Sequence, residues 1–258
     1  VAENFARRLE AGLERAPGKA ALVWDGGALT FDELGRRADA LAAILAAKGV
    51  KPGDRVALAI GNRWAFAVAL LAGWRAGATV APLDPLLKSE ERADILSDLA
   101  PAMLLEASDV DTVGADVVRG SRSSAVRPAS PAAEPALILY TSGSTGRPKG
   151  AALSHMALAL AIESWAGPVM ALTPEDIVLA TLPLAHSFGL NGALLAPLLT
   201  GATVALVERF APDAVVAAVR RQRVTVFPGV ATMFRRLLDS PELAAADLAS
   251  LRLAVSGA

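Results

Sequence analysis

The chain contains no cysteine. That excludes disulfides and thiolate metal sites, and it suits a reducing cytoplasm. Histidine is nearly absent too. His155 and His186 are the two, which argues against a histidine-rich zinc site. Neither sign of charge dominates: 25 basic residues face 26 acidic ones, with no basic run. Nucleic acid is therefore not an expected partner. The N-terminus carries Glu3 and Arg7 and no apolar signal core, so a secretion signal is not expected. Uninterrupted apolar runs are also lacking. Trp64–Leu83 contains Arg75, and Phe188–Val207 is broken by Gly189, Asn191, Gly192, Pro197, Thr200, Gly201 and Thr203. Each is expected to be a buried helix followed by a buried strand, with no transmembrane segment.

What is present suffices for a large core: 258 residues, 53% of them hydrophobic. Periodicity predicts a helix over Asn4–Arg15, a hairpin over Ala20–Leu29 turning at Asp25-Gly26-Gly27, and a long helix opened by a capping box at Thr30–Glu33. Gly49 suits the stop of that helix. A strand at Arg55–Ile60, a helix to Arg75 and a strand at Ala78–Leu83 follow. Ser89 is expected to cap a helix running to Leu99. Ala107–Glu134 is rich in Ser, Asp, Gly and Pro and is expected to connect two subdomains.

The pentapeptide Gly-Ala-Thr-Val-Ala occurs twice, at Gly77–Ala81 and Gly201–Ala205. Each copy follows an apolar helix, which itself follows a buried strand (Arg55–Ile60 and Ile177–Leu182). Two similar strand–helix–strand units are expected, each feeding a parallel pair. The fold class is therefore α/β: two α/β subdomains with parallel-rich sheets, over residues 1–134 and 135–258.

The most chemically loaded stretch is Tyr140-Thr141-Ser142-Gly143-Ser144-Thr145-Gly146-Arg147-Pro148-Lys149-Gly150. A strand is expected to lead into it at Leu137. Glycines let backbone N–H groups converge on an anion, hydroxyls add donors, and a lysine adds a compact positive charge. Such a cluster also resembles a linker. The strand before it and the apolar segment from Ala151 favour a phosphate cradle. It is not a Walker-type loop, because Gly150 stands after the lysine where that motif has serine or threonine.

This stretch resembles the signature loop of the adenylate-forming superfamily, the AMP-binding enzymes that include acyl-CoA synthetases, luciferases and the adenylation domains of peptide synthetases. The resemblance implies that a carboxylate attacks the α-phosphate of ATP and that a thiol, usually of coenzyme A, then displaces AMP. It places Thr141, Ser142, Gly143, Ser144, Thr145, Gly146 and Lys149 at the ATP phosphates, with Lys149 catalytic.

Pro183-Leu184-Ala185-His186-Ser187-Phe188-Gly189 resembles the family's substrate-binding segment. It implies a catalytic and acyl-binding His186, with Phe188 and Gly192 lining the acyl pocket. A histidine satisfied in an apolar segment is the competing reading of His186. Amino-acid-activating relatives place an aspartate here to pair with the substrate ammonium. No acidic residue stands between His186 and Gly192, so a plain carboxylic acid is expected, a fatty acid first. Phe227–Met233 resembles a segment of fatty- and aryl-acid CoA ligases, with Val230 at the acyl group. Ser256-Gly257-Ala258 resembles the opening of the adenine loop, and Arg209 falls where relatives often have a basic residue facing coenzyme A.

The Tyr-Gly-x-Thr-Glu block whose glutamate holds Mg²⁺ is not in this sequence, nor is the C-terminal domain with its lysine. The resemblance thus implies the front part of an acyl-CoA synthetase, inactive without the remainder and partnered by that C-terminal domain. Two alternatives stay open: an enzyme loading a carrier protein or an amino acid, and a non-catalytic nucleotide- or acyl-binding module.

Overall fold

A computed structural model of the chain describes residues 4–113, 134–141, 148–241, 243–244 and 248–257. The chain forms two compact units, and neither is one continuous stretch. One comprises Val1–Ala11, Glu33–Gly61 and Ala65–Leu160; the other comprises Gly12–Asp32, Asn62–Trp64 and Ala161–Ala258.

The first unit is built on a five-stranded sheet. Its strands are β3 (Arg55–Ala59), β4 (Thr79–Pro82), β5 (Met103–Glu106), β6 (Pro135–Thr141) and β7 (Lys149–Ser154). Their order is β5-β3-β4-β6-β7. The first four are parallel, and β7 returns antiparallel along the edge. Buried β3 and β4 read as short continuous apolar runs, as parallel strands covered on both faces do. Strand β7 departs from expectation. Its sequence, Lys-Gly-Ala-Ala-Leu-Ser, lacks alternation and strong strand formers. Pairing with β6 from Leu137↔Leu153 to Thr141↔Lys149 imposes it. Gly150 allows the close approach, since a Cβ there would lie 2.8 Å from Ile138 Cγ2 and 3.1 Å from Tyr140 Cζ.

Helix α3 (Trp64–Arg75) follows β3 and is buried from Ala65 to its end. Its final charge is matched: Arg75 Nε and Nη2 donate to Glu10 at 2.7 and 2.6 Å, and Asp39 lies 3.2 Å from Nη1. Arg75 Nη1 also donates to the Gly35 carbonyl. Trp74 donates its indole N–H to the Ala136 carbonyl at 2.9 Å. Helix α4 (Ser89–Leu99) packs Ile95 and Leu99 on Ala57, Ala81 and Leu83. Ser89 is not its cap. Lys88 holds the extended N-cap conformation without a side-chain bond, and Glu90 and Glu91 supply the favourable first-turn charge.

The second unit carries a six-stranded sheet. Strands β1 (Ala20–Trp24) and β2 (Gly27–Thr30) form the expected hairpin; β8 (Ile177–Ala180), β9 (Thr203–Leu206), β10 (Val226–Gly229) and β11 (Leu253–Ser256) complete the sheet. The order is β11-β10-β8-β9-β1-β2, parallel except for the hairpin. Helix α8 (Pro212–Gln222) packs Val215, Val216 and Val219 in a cluster with Leu179, Ala205 and Phe227. Pro228 is tolerated in β10 because β8 pairs that strand only at Val226.

The repeated pentapeptide performs the same job in both units. Gly77 and Gly201 turn the chain with φ of 78° and 79°, a conformation costly for other residues. Thr79 and Thr203 then open β4 and β9, and their hydroxyls donate to the first carbonyls of the neighbouring strands, at Pro135 (2.9 Å) and Ala20 (2.8 Å). Among the described residues, no helix is long and apolar enough to cross a membrane.

Candidate active site

In the first unit, the hairpin fixes the two ends of the phosphate-loop motif. Thr141 ends β6, Lys149 begins β7, and the two are paired across the ladder, both exposed. Ser142, Gly143, Ser144, Thr145 and Gly146 lie outside the described residues, as does Ala258. Tyr140, one residue before the loop, donates its hydroxyl to Asp98 Oδ2 on α4 at 2.7 Å. Burial and this bond to a carboxylate raise its pKa well above the usual phenol range, so it remains a donor.

In the second unit, β8 ends at Ala180 and the chain makes the turn that carries His186. The His186 N–H donates to the Pro183 carbonyl at 3.1 Å, and the His186 carbonyl accepts from Leu190 N at 2.8 Å. The residue is exposed. Gly189 makes the turn possible, because a Cβ there would lie 2.3 Å from the Pro183 carbonyl oxygen. A π-helical stretch then runs over Gly189–Leu195, followed by helix α7 (Ala196–Thr200). Wide turns of this kind are rare and concentrate at functional sites.

Phe188 stands at the N-cap of that stretch. Its ring stacks on Trp165 with centroids 5.0 Å apart and planes 25° apart. Trp165 opens a second π-helical stretch, Trp165–Val169, which follows helix α6 (His155–Ser164). Gly192 fits against this pair: a Cβ there would be 3.2 Å from the Trp165 ring and 3.6 Å from Phe188. Gly257 closes on the other side, where a Cβ would lie 3.1 Å from Phe188 Cε1. The Gly257 N–H donates to the Gly229 carbonyl at 3.3 Å, next to Val230, which caps helix α9 (Ala231–Leu238). Phe188, Gly192, Gly257 and the segment leading to Val230 thus form one neighbourhood, and Trp165 belongs to it.

Arg209 is placed elsewhere in this unit. It lines a cavity of about 490 Å³ together with Trp24, Asn62, Arg63, Trp64 and Arg221. The two tryptophans stack at 6.4 Å and 28°, and Arg221 pairs with Asp25 at 2.5 Å. Neither His186 nor Phe188 lines this cavity.

Two contributors were not legible in the sequence. In the sequence Trp165 reads as the end of a helix that starts near Ser154, and its aromatic partner is 23 positions on. Asn62 reads as a loop residue, yet it is 5% exposed and bonded to groups 118 to 145 positions away. Below the site, Arg252 clamps Asp176 at 2.6 and 2.7 Å, and Thr225 donates to the same carboxylate at 2.7 Å. Burial pushes the Asp176 pKa up, but these bonds and the Thr173 N–H outweigh it and hold the pKa at about 2.

The chain belongs to the AMP-binding enzyme family, whose model matches residues 9–258. It is 35% identical, over 99% of its length, to a 3-[(3aS,4S,7aS)-7a-methyl-1,5-dioxo-octahydro-1H-inden-4-yl]propanoyl:CoA ligase of Mycobacterium tuberculosis, covering 57% of that protein. It is 38% identical, over 94% of its length, to a feruloyl-CoA synthase of an Amycolatopsis species, covering 52% of it. Among solved structures, a benzoate CoA ligase from Burkholderia xenovorans LB400 superposes with a TM-score of 0.87 at 28% identity, over 98% of this chain and 55% of that one. The chain spans little more than half the length of these relatives.

Proposed function

We propose that this chain carries the acid- and nucleotide-facing part of an ATP-dependent acyl-CoA synthetase, which joins a carboxylic acid to coenzyme A and releases AMP and pyrophosphate. The observation that carries this reading is the family match over residues 9–258, which includes the loop ending in Lys149. In this reading Lys149 and the Thr141–Gly146 loop hold the ATP phosphates. A preorganised cation beside a crowded polyphosphate stabilises the charge that develops during transfer. The His186 turn presents the acid. Gly257 and Ala258 bound the adenine, and the basic rim of the cavity at Arg209 suits the phosphates of coenzyme A. Mg²⁺ would neutralise polyphosphate charge when bound; its expected glutamate ligand belongs to a motif outside this sequence.

The acid is a carboxylic acid without an α-amino group. The stretch from His186 to Gly192 offers no carboxylate to pair an ammonium. A ring-bearing acid is preferred over a straight fatty chain. The stacked Trp165 and Phe188 supply an aromatic wall, and the names of the similar ligases describe ring-bearing acids.

The test is ATP–pyrophosphate exchange by the full-length protein with aryl, fused-ring, fatty and amino acids, followed by acyl-CoA formation from the acids that exchange. Exchange with ring-bearing acids and transfer to coenzyme A are expected. Exchange confined to amino acids, or transfer only to a carrier-protein thiol, would move the chain to the peptide-synthetase branch. ATP binding without exchange by any acid would make it a binding module.

A further inference from the structure

Strands β8 and β9 are paired from Ile177↔Thr203 to Ala180↔Leu206, and Val207 N still reaches the Ala180 carbonyl at 3.0 Å. Beyond that point they part. The chain after β8 turns into Pro183–His186, whereas the chain after β9 leads to Arg209 and α8. Such a fork leaves carbonyl groups without ladder partners, and in open α/β sheets it is where ligands bind.

Asn62 fills the fork. Its amide nitrogen donates to the carbonyls of Leu182 at 2.8 Å, Ala180 at 3.3 Å and, weakly, Val207 at 3.5 Å. Its Oδ1 accepts from the Leu184 N–H at 3.0 Å. Donor and acceptor are thus both used, and both reach into the segment that carries His186. A carboxamide suits this position because it offers both on one short, planar group. A carboxylate of the same size would turn an oxygen toward three carbonyl oxygens. A leucine would leave a buried N–H and buried carbonyls unpaired.

We infer that Asn62 is a positioning residue for the acid site, holding the backbone of the Leu182–Leu184 turn so that His186 meets the carboxylic acid at a fixed place. The inference rests on the proposed role of His186. Asn62 itself touches no reacting group. It acts through the Leu184 N–H and, one turn further, through the bond from His186 N to the Pro183 carbonyl.

The experiment uses the full-length enzyme and pyrophosphate exchange with its best acid, comparing Asn62→Ser, His186→Ala and the double variant. Asn62→Ser is expected to raise the KM for the acid roughly tenfold, the scale of one buried hydrogen bond. The KM for ATP should stay within about twofold, well inside the same conversion. In the His186→Ala background, Asn62→Ser should cost less than about twofold, because residues acting through one another are not additive. Asn62→Gln keeps the amide but displaces it by one methylene, and it carries the same expectation if the serine variant does not fold. An equal rise in both KM values, or full additivity with His186→Ala, would overturn the inference and leave Asn62 a strand-end plug. A wild-type enzyme that exchanges with no carboxylic acid overturns the ligase reading itself, a result distinct from additivity in an active enzyme.

Discussion

Lys149 stands opposite Thr141 at the open end of the β6–β7 hairpin, so its position depends on the ladder more than on the loop. Lys149→Ala should lower the adenylation rate of the full-length enzyme about a hundredfold or more, the scale of losing one preorganised electrostatic contact. Its melting temperature should hardly change, because the side chain is exposed. Single-turnover formation of the acyl-adenylate checks this; a loss below about tenfold would remove Lys149 from the phosphate site. At this scale the sequence was legible wherever a motif is contiguous. Lys149, His186 and Phe188 are picked out as candidates directly from their neighbours in sequence. Asn62 and Trp165 are not, because what makes them matter lies far along the chain.

Among the elements, the His186 turn and the π-helical stretch after it depend on one small residue. Gly189→Ala would put a methyl 2.3 Å from the Pro183 carbonyl oxygen and 2.9 Å from that of Leu182. Both obstacles are backbone atoms, which cannot rotate away. The expected cost is roughly 3 kcal/mol, the upper end of overpacking penalties, with acid KM rising as the turn opens. Denaturation and steady-state kinetics on Gly189→Ala measure both; unchanged stability would mean that the turn relaxes freely. Most elements were legible from periodicity and from the Gly-Ala-Thr-Val-Ala repeat, whose glycines turn and whose threonines tie strand ends in both units. Strand β7 and the two π-helical stretches were not. The first is imposed by pairing, and the second is a change of helical pitch that apolar periodicity does not encode.

For the whole molecule, two buried titratable groups set the acid limit of stability in separate windows. His155 is 2% exposed, lies against Trp74 at 6.1 Å, and its Nδ1 has no hydrogen-bond partner among the described residues. Burial lowers its pKa to about 4 from 6.5. The unfolded chain takes up this proton below pH 6.5 and the folded chain only below about 4. Stability is therefore full above pH 6.5 and declines as pH falls through that interval, by roughly 2 kcal/mol at pH 5. Asp176 acts lower down. Its pKa falls from 3.8 to about 2, so its contribution is present above 3.8 and is lost as pH falls through 2. Melting curves at pH 7.5 and 5.0 should show a drop that His155→Gln largely removes. An equal drop in the variant would assign the acid sensitivity to other groups. The sequence marks His155 as structural rather than catalytic, since it follows the helix-capping Ser154, but its depth of burial and its titration were not legible there.

The ring of Phe188 lies close to two glycines, Gly192 in the stretch proposed to line the acid pocket and Gly257 in the proposed adenine loop. One side chain is therefore a party wall. In the proposed reading, reshaping Phe188 to retune the accepted acid also disturbs the base-binding side, so altered acid preference and altered ATP affinity should be inherited together. An engineer seeking a new substrate range with nucleotide affinity intact would do better to begin at Trp165, the stacking partner of Phe188 that Gly192 also meets.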